Sequence, residues 1–347
     1  MFSDLDEQLA VTLKHRAGGD IDPTPIVAQA RHRGRRLRLR RRGLIAGGVA
    51  AACVALTSVV LAIPGVRSTD DPIMPAAALM LPEAQSDGTV RPEEVGADPA
   101  TVHFTTDALL SDAEYASWRT GRGIESVEFR GPSGGARFVL ARTEVLLDGL
   151  QQTLSSAGRP QGRTEVRVGD RSGVAWFDPS GDRKLWFVRW QPADGLWAQV
   201  DIYATTRDEA AGRAGRVRFD GAHRCVVPFR LESLPPDGRL LECSVTLGRS
   251  ARDSFVEGSL VVGDASGRWL TVRAQPAPAG DDARRGDLVA GPYRARRQGR
   301  DVLEMVVKPC HVEAFRKGRG NGYTEAEGLA ILGGYQPARD LHRPESW

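Results

Sequence analysis

Lysine is nearly missing from this chain of 347 residues: Lys14, Lys184, Lys308 and Lys317 are the whole set, and arginine supplies the other basic side chains. That skew reflects the base composition of a gene more than a function. Cysteine is almost as scarce, at four residues, with no Cys-x-x-Cys pair and no His/Cys spacing suited to zinc. No metal and no cofactor is therefore expected. Catalytic signatures are missing too. His103, His223, His311 and His342 are scattered, none stands at i, i+4 from another histidine or a cysteine, and no Ser/His/Asp signature stands out. Gly333-Gly334 lacks the lysine of a phosphate-binding loop. The spacing Gly131-x-Ser133-x-Gly135 matches a hydrolase nucleophile elbow, but that elbow needs a strand before it and a helix after it. Strand-like runs flank it on both sides here, so it reads as a turn. These absences argue against an enzyme.

Charge is unevenly placed. Residues 1–42 hold ten basic side chains against five acidic ones, so the net +3 of the chain leaves the remainder near −2. A near-neutral remainder offers no basic field for nucleic acid. The basic residues gather at 31–42, where eight arginines, Arg35, Arg36, Arg38, Arg40, Arg41 and Arg42 among them, run into residues 43–63. That stretch is uncharged and ends at Pro64-Gly65. Roughly 20 apolar residues make about 30 Å of helix, the thickness of a bilayer core. The arginines then fix the direction by the positive-inside rule. The sequence thus predicts a single-pass membrane protein, its amino end cytoplasmic and its carboxyl region extracellular.

Within the tail, Leu5, Leu9 and Leu13 recur at helical spacing between Ser3 and Gly18-Gly19. Residues 64–100, rich in Pro, Ala, Asp and Glu, read as a flexible spacer. The exported part divides into units at 101–222 and 223–347. In the first, a hairpin is expected around 131–135, then a helix carrying Leu146, Leu147, Leu150 and Leu154. Strands follow at 164–168, 174–177, 184–190 and 196–203, and a helix from near Thr206 closes the unit. The second unit echoes the first: Val168-Gly-Asp-x-Ser-Gly173 by Val262-Gly-Asp-x-Ser-Gly267, and Glu209-Ala210-x-Gly212-x-Ala214 by Glu325-Ala326-x-Gly328-x-Ala330. The expected class is α+β: one transmembrane helix, then two similar units, each an antiparallel sheet with a helix across one face.

Two features of the exported part invite a site. Cys225, Cys243 and Cys310 lie where a disulfide is permitted; the Pro235-Pro236-Asp237-Gly238 turn favours pairing Cys225 with Cys243, and an odd count leaves a cysteine free or paired between chains. Around Leu185-Trp186-Phe187-Val188-Arg189-Trp190 the strand is apolar on both faces, so it is either covered on both or offers one to a partner. Covering is the plainer reading. The sharper one has Trp186 and Trp190, with Trp176 and Trp197, lining a groove for an apolar ligand or peptide.

The tail residues Asp4 to Leu13, the arginine block and the apolar segment together resemble single-pass membrane proteins of high-GC bacteria, some of which act as anti-sigma factors. The exported half, with Leu185 to Trp190, Pro228-Phe-Arg-Leu231 and Glu325-Ala326, resembles lipoprotein-carrier and RseB-type domains. The resemblance implies a regulatory role and a cytoplasmic sigma factor as partner of the tail. Residues 1–42 depart from the zinc-type anti-sigma pattern, His-x3-Cys-x2-Cys, because they contain no cysteine. The alternative is a surface-exposed ligand- or lipid-binding protein whose tail only sets topology.

Overall fold

The computed structural model describes residues 79–347 apart from 86–89, 107–112, 133, 155–160, 180–183, 250–253, 279, 281–285, 317–321 and 342. The tail, the arginine block with Arg35, Arg36, Arg38, Arg40, Arg41 and Arg42, and the apolar segment 43–63 lie outside the described residues. Among those described, no helix is long and apolar enough to cross a membrane.

Alternation sets the strands. In Tyr115–Gly121 (β3), Ala116, Trp118 and Thr120 are buried; in Ile124–Gly131 (β4), Glu125, Val127 and Phe129 are. That period of two puts one face of each strand into a core. Before them come two short strands, Glu83–Ala84 (β1) and Thr101–Val102 (β2). Gly134–Ala141 (β5) completes a meander, and the helix Glu144–Leu154 (α1) follows. Next come Gln161–Val168 (β6), Arg171–Asp178 (β7), Leu185–Ala193 (β8), Leu196–Tyr203 (β9) and the helix Arg207–Ala214 (α2). The elements from β4 to α2 fall close to where the sequence places them, whereas β1, β2 and β3 were not expected, and β1 lies in the stretch read as a spacer. The expected turn at 131–135 joins β4 to β5, with Ser133 itself outside the described residues.

After Ala222–Arg224 (β10) and Phe229–Leu231 (β11), a second run begins: Arg239–Arg249 (β12), Ser254–Gly263 (β13), Trp269–Pro276 (β14), Leu288–Ala290 (β15), Tyr293–Gln298 (β16), Val302–Val307 (β17) and Cys310–Arg316 (β18). The helix Glu325–Gly333 (α3), Tyr335–Pro337 (β19) and a closing 3₁₀ turn end the chain.

The expected fold class needs correction. In place of two sheets, each with a helix across it, the described residues form one large antiparallel sheet of 14 strands in the order β15-β16-β17-β18-β14-β13-β12-β3-β4-β5-β9-β8-β7-β6, with two small sheets, β1-β10-β2 and β11-β19, beside it. Among the described residues strands dominate, and the three α-helices there span only 11, 8 and 9 residues. The physical reason lies at the centre. Alone, β3 and β12 would each leave a row of unpaired backbone groups at an edge. They pair with each other instead, from Glu242 opposite Gly121 to Gly248 opposite Tyr115. The junction needs a glycine: Gly121 has φ +136°, and a Cβ there would sit 2.3 Å from the Leu241 carbonyl oxygen. Ser117 and Thr246 share a hydroxyl hydrogen bond of 3.0 Å across the joint, and Arg119 donates to Glu242 at 2.8 Å.

Read outward from that joint, the two halves have the same topology. Each is a three-strand meander whose third strand pairs with the seventh, and a short helix follows the seventh strand: β3-β4-β5-β9-β8-β7-β6 then α2, and β12-β13-β14-β18-β17-β16-β15 then α3. The sequence echoes meet this unevenly. Val168-Gly169-Asp170 and Val262-Gly263-Asp264 fall in turns that are not equivalent, β6 to β7 against β13 to β14. The Glu-Ala echo does fall in equivalent helices, but two residues out of register. Thr206 caps α2 and accepts from the Glu209 N–H; Thr324 caps α3 and accepts from the Glu327 N–H. Glu209 therefore corresponds to Glu327, buried Ala210 to buried Gly328, and buried Ala214 to buried Leu332.

One hydrophobic core serves both halves. It includes Trp118, Phe138, Trp190 and Ala214 from the first and Val245, Leu270, Met305 and Leu332 from the second. The stretch expected as a spacer contributes as well: Leu79, Leu81, Val90 and Val95 are buried in the same core, and the Leu79 carbonyl accepts the Trp118 indole N–H at 3.0 Å.

Candidate functional site on the outer face of the sheet

β8 is buried on both faces, and it divides the four candidate tryptophans. Trp186, Val188 and Trp190 point into the main core, opposite Ile202, Val200 and Ala198 of β9. Trp176 points the other way and stacks on Phe187, with ring centroids 5.7 Å apart at 11°. Trp197 shares that outer face and packs on Val139, Ala141 and Leu147 beneath α1. The structure thus brings Trp186 together with Trp190, and places Trp176 and Trp197 on the far side of the sheet. The indole N–H groups of Trp176 and Trp186 are buried without a hydrogen-bond partner among the described residues.

The outer face of the first half is charged and buried together. Arg189 donates to Gln199 Oε1 at 2.9 and 3.1 Å and to Glu144 and Asp148 of α1 at 2.9 and 2.8 Å. Its guanidinium also lies 5.3 Å from the centre of the Trp176 ring, with that of Arg163 at 5.9 Å. Gln199 donates to Asp201 Oδ1 at 2.7 Å, and Arg137 donates to the other oxygen of Asp201. Burial pushes the Asp201 carboxyl above its usual range, despite Arg137 and Gln199 pulling it down.

The second half carries its own cluster on the equivalent strands. Opposite residues form the row Arg137, Asp201, Phe187, Trp176 in the first half and Arg273, Glu313, Glu304, Arg296 in the second. Arg296 pairs with Glu304 Oε1. His311, two residues before Glu313 on β18, brings its Nε2 to 3.5 Å from Glu304 Oε2 and 3.8 Å from Glu313 Oε1. Glu304 and His311 are buried and Glu313 is partly so. The sequence reading missed this group because it sought ligands at helical spacing. On a strand, i and i+2 share a face, and His311-x-Glu313 has that spacing.

Among the described residues, His103 and His223 lie apart from this group. His103 Nδ1 is 2.6 Å from Oε1 of fully buried Glu125, which also accepts the backbone N–H of Gly96 and His103 at 2.9 and 2.7 Å. His223 Nδ1 lies 3.1 Å from the Leu81 carbonyl; His342 is outside the described residues. Cys225 and Cys243 are bonded, as the turn between them suggests, with Cα atoms 6.2 Å apart. Cys310 is free and buried, and burial raises its thiol above the ordinary value against a hydrogen bond with Tyr335.

No family model matches the chain, and no curated protein matches it. Solved structures do match, two MucB complexes among them. One is MucB in complex with MucA(peri), 15% identical over 65% of this chain and 93% of that one, with a TM-score of 0.21. The other is the Pseudomonas aeruginosa MucA/MucB complex, also 15% identical, over 67% and 95%, with a TM-score of 0.23.

Proposed function

We propose that this is a single-pass membrane protein whose exported sheet is a non-enzymatic binding module, with a regulatory role passed to a cytoplasmic protein, a sigma factor, through residues 1–42. The observation that carries export is the Cys225–Cys243 bond. It ties the segment between the halves to the central strand β12, and such a bond persists in an oxidising compartment. A binding role rather than catalysis is supported by the buried charges of the first half: Arg137, Arg189, Asp201, His103 and Glu125 are each engaged with neighbours in the fold. Cysteines introduced at Asp170, in the exposed turn between β6 and β7, and at Lys14 test the topology. A membrane-impermeant maleimide applied to intact cells should label the first and spare the second; the reverse pattern sinks the proposal. Deleting residues 1–30 then tests regulation. If transcription of the cell's genes is unchanged, the signalling role fails.

A second reading is a surface protein that binds an apolar ligand or lipid and does not signal. Its support is the Trp186 indole N–H, a donor buried in the core with no acceptor among the described residues, its ring 5.1 Å from that of Phe177. Tryptophan emission that shifts on titration with lipid, and does so no longer in Trp186→Phe, would favour it over the first.

A further inference from the structure

Glu304 and Glu313 face each other on neighbouring strands, with His311 beside them on the same face. Like charges placed directly opposite destabilise a strand pair. Here both carboxylates are largely withdrawn from water, at 6% and 14% side-chain exposure. Arg296 answers one of them through Oε1 of Glu304, leaving Oε2 turned toward His311. Arg273, opposite Glu313, donates instead to Glu257 at 2.7 Å. Within the group, His311 Nε2 lies 3.5 Å from Glu304 and 3.8 Å from Glu313, longer than ordinary hydrogen bonds. They match another arrangement. Two donors each about 2.1 Å from a zinc-sized ion, at tetrahedral angles, stand about 3.4 Å apart. All three donor atoms lie within 4.8 Å of one another.

We infer that Glu304, His311 and Glu313 form a binding site for a first-row divalent ion of the zinc class on the outer face of the β17–β18 hairpin. The ion neutralises the opposed carboxylates and clamps the hairpin. The imidazole selects such an ion over calcium or magnesium, which take oxygen ligands. Arg296 holds the Glu304 carboxylate so that one oxygen faces the ion, the role that outer partners play around bound metals. Three protein donors leave a fourth position for water.

The test uses the full chain, purified in detergent and stripped with a chelator. Titration calorimetry and elemental analysis with Zn²⁺ should show a site whose affinity falls at least about tenfold in both His311→Gln and Glu313→Gln, and about tenfold in Arg296→Met. His103→Gln should leave it unchanged, and Ca²⁺ should not compete. Metal-free melting curves of the variants establish that they fold; should Glu313→Gln fail to fold, His311→Asn takes its place. Zinc affinity unaltered by the His311 substitution, or no binding in the micromolar range, overturns the assignment.

Discussion

The two halves of the sheet share a topology and differ in what they bury on the outer face. At the same row, the first half places Phe187 stacked on Trp176 where the second places Glu304 paired with Arg296. One residue row further, Gln199 and Arg189 stand where His311 and Val306 stand. In the first half α1 closes over the charges, giving Glu144 and Asp148 to Arg189 and Leu147 to the apolar patch beside it. The scaffold therefore fixes where a polar cluster can be buried, and the side chains decide whether it is completed by the chain itself. Arginine with two or three hydrogen-bonded partners is self-sufficient. In the second half Arg296 answers only one of two opposed glutamates, and the ion proposed above would complete the cluster.

The sharpest way to break the comparison is to remove the equivalent arginines. Arg137→Met strands Asp201 as a buried charge, and unfolding by urea should show a loss of about 3–5 kcal/mol. Arg273→Met removes a partner from a more exposed pair with Glu257 and should cost no more than about 1 kcal/mol. Equal losses would mean that the halves are not electrostatically distinct. Next in size is the tie between the halves: with both Cys225 and Cys243 replaced by alanine, stability should fall by about 3 kcal/mol, as expected for a loop of 18 residues. Gly121→Ala tests the joint itself. Its backbone strain alone should cost about 1–3 kcal/mol, whereas alanine at Gly212, where an added Cβ meets nothing within 4 Å, should be neutral or stabilising.

The smallest effect is a pH step belonging to the first half. Burial opposes protonation of His103, but the hydrogen bond and charge of Glu125 outweigh it and hold the imidazole above its ordinary value. A raised value in the folded state means that the pair's contribution is complete below about pH 6.5 and is lost as pH rises through the folded value. Denaturation midpoints measured across that window should therefore decline toward alkaline pH in the wild type, with a shallower decline in His103→Gln.

Much of the first half was legible residue by residue. Alternation marked β4 through β9, the leucine spacing marked α1, and Thr206 with Glu209 marked the start of α2, because each is set by local periodicity or a local hydrogen bond. The Cys225–Cys243 bond was readable for the same reason, through the Pro-Gly turn whose Gly238 N–H returns to the Pro235 carbonyl at 2.8 Å. The strand from Leu185 to Trp190 was legible as apolar on both faces, but how the four tryptophans divide between those faces was not. Trp176 sits on a different strand from Trp186, and only the register between β7 and β8 says which residues face the same way. The Glu304, His311 and Glu313 group was invisible for a related reason, since one member comes from the neighbouring strand.

What the sequence determined by itself was the local element and its buried face, since a period of two or of 3.6 is written in consecutive residues. What only the tertiary structure decided was that β3 meets β12 and turns two expected sheets into one. That pairing joins residues more than a hundred positions apart through backbone groups every residue carries, so no side-chain pattern announces it. The unpaired edges make it favourable, and Gly121 makes it possible.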